Sequence, residues 1–67
     1  MLKVTKEVPT KNGNIVINFE FNLYNNEPVA YAVDKPDMNY TAEDFIKLNK
    51  VIRQTMNEIE HTRKLNA

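Results

Sequence analysis

The sequence predicts an α+β fold: a three-stranded antiparallel β-meander followed by one long C-terminal α-helix packed on one sheet face, in the order βββα. Three observations predict it. The segment from Asn14 to Tyr24 alternates apolar and polar residues more strictly than any other in the chain, the signature of a strand buried on one face. Asn12-Gly13 interrupts two such runs, and Asn and Gly both tolerate the positive φ of a tight hairpin turn. From Thr41 onward the apolar period changes from two to about 3.6, with no Pro or Gly before the end of the chain.

The first strand covers 2–8, with Leu2, Val4 and Val8 on one face and Lys6 interrupting them. A two-residue turn at Asn12-Gly13 would pair Val8 with Ile17, Lys6 with Phe19, Val4 with Phe21 and Leu2 with Leu23. The second strand runs from 14 to 24. It carries Ile15, Ile17, Phe19, Phe21 and Leu23 inward and Asn18, Glu20 and Asn22 outward. Asn25-Asn26 supplies the next turn. The third strand, 27–33, begins at Pro28, whose missing N–H suits a sheet edge. Its register has two readings. A two-residue loop sets Ala30 and Ala32 beside Phe21 and Phe19, and a three-residue loop sets Tyr31 and Val33 there. The second buries more apolar area and is preferred.

A loop over 35–40 follows, because Pro36 disfavours helix at Lys35. Thr41 is a good helix N-cap, Asp44 three positions on completes a capping box, and Glu43 stands near the positive end of the helix dipole. The helix covers 41–65, a rod of roughly 36 Å at 1.5 Å per residue. Phe45, Leu48, Ile52, Met56 and Ile59 share its core face, with Val51, Thr55 and Thr62 on the flank. Glu43 with Lys47 and Glu60 with Lys64 have the spacing of helical ion pairs. The last turns, around His61 to Asn66, are expected to overhang the sheet.

At 67 residues the chain makes a single domain, 1–67: sheet over 1–34, loop over 35–40, helix over 41–65. A chain of this size hides only about 60% of its unfolded surface, so a partner would add needed burial. Hydrophobic content of 42% with 27% charged residues is that of a folded domain rather than a disordered one. No Cys is present, which removes disulfides and thiolate metal sites. The first residues form no apolar signal segment, and no 18-residue apolar run exists. A cytoplasmic protein without a membrane span is expected. The Asn39-Tyr40-Thr41 sequon is then read as incidental.

The chain contains no Ser either, so the usual acyl-transfer nucleophiles are missing, and His61 is the sole imidazole. One glycine, Gly13, excludes the phosphate loop and the dinucleotide fingerprint, which both need several. Glu58 and His61 have a Glu-x-x-His spacing, but a single solvent-facing copy is read as a hydrated helix face. No catalytic residue, cofactor or metal is expected, and the chain is read as a non-enzyme.

Its net charge of zero conceals a polarity. Segment 34–46 carries −3 and segment 47–67 carries +3, an arrangement that complements the helix dipole. Lys47, Lys50, Arg53, Gln54, Asn57, His61 and Lys64 form one stripe on the helix face away from the core. Ten Asn residues reflect codon bias more simply than function.

The expected function is a small protein-protein interaction module, of the kind found among phage or mobile-element accessory proteins, that binds and inhibits or adapts a larger protein. Three surfaces are candidates for partner binding. They are the open sheet face with Asn18, Glu20, Asn22 and Tyr24, the edge strand with Tyr31, and the helix stripe with Lys50, Arg53 and Asn57. A homodimer is expected as well, since Ile46 and Leu65 lie off the core stripe. The alternative is a nucleic-acid-binding regulator that presents the basic helix face.

Overall fold

The protein's computed structural model describes residues 1–11, 13–24, 27–34 and 40–65. The turn expected at Asn25-Asn26, the loop over 35–39, Asn12 and Asn66 lie outside the described residues. Three strands, β1 (Leu2–Val8), β2 (Ile15–Phe21) and β3 (Ala30–Asp34), precede one helix, α1 (Ala42–Leu65). The strands form one antiparallel sheet in the order β1-β2-β3, and α1 packs on one face closest to β1. This is the expected βββα arrangement.

The register of β1 and β2 differs from the expectation by two residues. Val8 pairs with Ile15, Lys6 with Ile17, Val4 with Phe19 and Leu2 with Phe21. Pro9 explains the slip. A two-residue turn at Asn12-Gly13 would place Pro9 opposite Val16 at a hydrogen-bonded position of the ladder, where its missing N–H leaves a gap. The ladder ends at Val8 instead. The connection closes as a turn in which the Gly13 N–H donates to the Thr10 carbonyl at 3.3 Å. The Thr10 hydroxyl in turn donates to the Gly13 carbonyl. Gly13 sits at φ 113°, a conformation that costs glycine little. Because side chains alternate with a period of two, a slip of two leaves every residue on its expected face.

The slip also shortens β2. With Leu2 opposite Phe21, only Met1 is left to face Asn22 and nothing faces 23 and 24, and β2 stops at Phe21. The third strand begins at Ala30 rather than Glu27, beyond the donor-less Pro28. Its register also moves by two: Tyr31 lies opposite Phe19 and Val33 opposite Ile17. The preferred face is right, whereas both partners expected for Tyr31 and Val33 are corrected.

The helix begins as the capping box requires. The Asp44 N–H donates to the Thr41 hydroxyl at 3.2 Å, the Thr41 N–H donates to the Asp44 carboxylate at 3.1 Å, and the Phe45 N–H donates to the Thr41 carbonyl at 3.2 Å. Two otherwise orphaned N–H groups are thus satisfied at the first turn. The buried face is turned from the expected one toward Thr55. Leu48, Thr55 and Ile59 are buried, Val51, Ile52 and Met56 are half-buried, and Phe45 remains 43% exposed. Val8, Ile15, Ile17, Phe19 and Phe21 complete the core from the sheet.

Lys6, the break in the apolar pattern of β1, belongs to this inner face. Its Nζ lies 3.8 Å from the Glu58 carboxylate of α1, so the stem crosses apolar surface while the charge reaches the margin. Glu58 therefore marks the flank of α1 that faces β1. The opposite flank, with Phe45, Ile52 and Met56, faces the β3 side.

Candidate functional site

The candidate binding residues do not form one site. Asn18 and Glu20 stand on the outer face of β2, the side away from α1, where among the described residues no second layer covers the sheet. Both are already engaged. The Thr5 hydroxyl donates to the Asn18 side-chain oxygen at 2.9 Å, and Lys3 Nζ lies 3.6 Å from the Glu20 carboxylate. Thr5 and Asn18 face each other across the ladder, as do Lys3 and Glu20, so the register itself makes these contacts. Ala30 and Ala32 extend the face onto β3, and with Asn18, Glu20 and Tyr31 they line a shallow recess.

Tyr31 contributes to that recess, yet it pairs with Phe19 and so projects to the inner face. Its ring centroid is 5.8 Å from that of Phe19, and the residue is 49% exposed because α1 lies toward β1. Tyr24 lies past the end of β2. It is 84% exposed and lines a second recess with Met1, Leu2, Asn22 and Leu23.

The helix stripe is a third location. Lys50, Arg53 and Asn57 are exposed and line a surface groove with Ile46, Asn49 and Gln54. Ile46 and Leu65 are exposed, as their place off the core stripe predicts.

Compared with known proteins, the chain matches no family model, no curated sequence and no solved structure.

Arg63, one of the cations of the +3 segment 47–67, has a packing role that the charge pattern does not reveal. Its side chain is only 10% exposed. Nε donates to the Asn22 carbonyl at 3.0 Å, the guanidinium stands 5.9 Å from the centroid of the Phe21 ring, and Nη1 is 3.5 Å from the Glu60 carboxylate. The expected overhang is corrected at this point: the Arg63 side chain ties the last turn of α1 to the end of β2. Glu60 pairs with Arg63, and among the described residues neither Lys64 with Glu60 nor Lys47 with Glu43 forms an ion pair. A sequence signal did exist. Arg63 falls one turn beyond Ile59 and two beyond Met56 on the β3 side of the stripe, a position that an aliphatic stem can bury.

Glu58 and His61 remain apart from any ligand set: Glu58 pairs with Lys6 and His61 is exposed. Among the described residues no cluster of three or more His, Cys, Asp or Glu is placed to hold a metal ion. Among the same residues, no helix is long and apolar enough to cross a membrane.

Proposed function

We propose that the chain is a non-enzymatic interaction module that docks on a larger protein and inhibits or adapts it. The observation that carries this reading is the recess at the end of the sheet. Met1, Leu2 and Tyr24 are all exposed there, gathered with Leu23 and Asn22 around one concavity. An apolar patch beside polar surface suits a protein partner, and Tyr and Met are enriched at such interfaces. The adjoining outer face supports it. Its Thr5–Asn18 and Lys3–Glu20 pairs are formed in advance, so docking there would immobilise few further side chains.

Affinity capture from the native host followed by mass spectrometry tests this. The wild-type chain should retain a defined protein, and Tyr24→Ala should lose it while the far-UV circular dichroism stays unchanged. Capture that survives Tyr24→Ala overturns the choice of surface.

A second reading has its own observation, the exposed groove that gathers Lys50, Arg53 and Asn57 on α1. A nucleic acid bound there would be released steeply by salt, since each neutralised phosphate frees counterions. Lys50→Glu with Arg53→Glu should then abolish binding. The exposed Ile46 in the same groove and the zero net charge favour a protein over a polyanion.

A further inference from the structure

The two edges of the sheet are built differently. β1 carries Lys3, Lys6 and Glu7 within seven residues, the charges with which natural sheets block edge-to-edge pairing. β3 reads Ala-Tyr-Ala-Val-Asp, and its single charge is at its end. Among the described residues it lies at the sheet margin with β2 as its one neighbouring strand, and α1 lies toward β1. Tyr31 and Val33 point to the inner face without full cover.

We infer that β3 is the docking edge for a second copy of this chain, which pairs antiparallel with it about a two-fold axis through Ala32 to make one six-stranded sheet. The register follows from the strand. Five residues overlap their copy completely only when residue 32 faces itself, which sets 31 opposite 33 and 30 opposite 34. All these offsets are even. Inner residues therefore meet inner ones, Tyr31 against the copy's Val33, and outward N–H and C=O groups meet outward ones. Ala32 meets Ala32 on the outer face without crowding. The two Asp34 carboxylates are set four residues apart along the strands, about 13 Å, beyond the Debye length of about 8 Å at physiological salt. Parallel pairing in register would instead bring them side by side.

The surface of the chain supports a second copy. Its accessible area is 5039 Å², where a compact monomer of this mass exposes about 4,400 Å². The surplus approaches the roughly 800 Å² that each partner contributes to an interface of ordinary size. The radius of gyration, 13.2 Å, likewise exceeds the roughly 11 Å of a compact chain of this length. A two-fold axis normal to the sheet keeps both helices on one face, so Tyr31 and Val33 of each copy gain cover from the other.

Sedimentation equilibrium from micromolar to millimolar concentration tests the inference. The wild-type chain should move from 7.8 kDa to twice that mass. Ala32→Lys and Ala32→Glu, both on the exposed outer face, should each stay monomeric with native circular dichroism where the wild type is dimeric. An equimolar mixture of the two variants should dimerise again, because unlike charges now face each other across the axis. A wild-type chain that remains monomeric throughout overturns the inference. So does a dimer that persists in Ala32→Lys and is lost in Ile46→Glu, which would move the interface to α1. Loss of Tyr24-dependent capture without any change in mass leaves this inference standing, so its outcome is separate from that of the proposed partner surface.

Discussion

Phe19 and Tyr31 face each other across β2 and β3 with their rings 5.8 Å apart, yet Phe19 is 0% exposed and Tyr31 is 49% exposed. Both obey the same alternation, and both point to the same side of the sheet. What separates them is the position of α1. It lies toward β1, where Lys6 and Glu58 meet at the margin, and leaves the β3 side open. Among the described residues, one half of the inner face is a completed core and the other half is only partly covered. An inward-facing position in a strand is therefore only a candidate for burial until the covering element has been placed.

Truncating the two rings should separate these halves most strongly. Phe19→Ala removes a fully buried ring and should cost about 3–5 kcal/mol in urea or thermal unfolding, enough to unfold a chain of this size. Tyr31→Ala should cost about 1 kcal/mol or less at monomeric concentrations, since half of its surface never leaves water. Equal losses would show that the β3 side is as well covered as the β1 side.

Next in size is the clamp at the far end of the sheet. Arg63→Ala should destabilise by about 1–3 kcal/mol, through loss of the bond to the Asn22 carbonyl and of packing over Phe21. Amide exchange in the last turn of α1 should accelerate with it. Unchanged exchange there would mean that the helix end is held by something other than Arg63.

Thr41→Ala should cost about 1 kcal/mol by removing half of the capping box, and Thr41→Ser should restore nearly all of it. Thermal melts of the two variants check this, and identical losses would remove the hydroxyl from the explanation. The smallest effect belongs to the tie that marks the covered edge. Lys6 and Glu58 are 40% and 67% exposed, so a double-mutant cycle of Lys6→Met with Glu58→Gln should give a coupling below about 0.5 kcal/mol that vanishes at high salt. A larger coupling would make that ion pair, rather than apolar packing, the reason that α1 sits over β1.

Much of the architecture was legible from local rules. The βββα order, the inward set of β2 and the reciprocal Thr41–Asp44 cap depend on period and on neighbours three residues apart. Registers were less legible. The Asn12-Gly13 turn signal competed with Pro9, and the missing N–H at Pro9 prevailed because a ladder cannot run through a position without its donor. The binding residues were legible one by one as exposed polar and aromatic types. Their division between sheet and helix was legible too, but the place of Asn22 and Tyr24 in the end recess rather than on the open face was not, because it depends on where β2 stops.

By itself the sequence determined which strand residues face inward, where the helix starts and which edge strand carries the fewest charges, since all three are set by spacing along one chain. Only the tertiary structure decided how far α1 lies toward β1, and with it why Tyr31 and Phe45 stay half in water and Arg63 does not. Those outcomes depend on contacts between residues far apart in the chain, such as Lys6 with Glu58 and Asn22 with Arg63. Periodicity assigns a side chain to a face but carries no information about what lies above it.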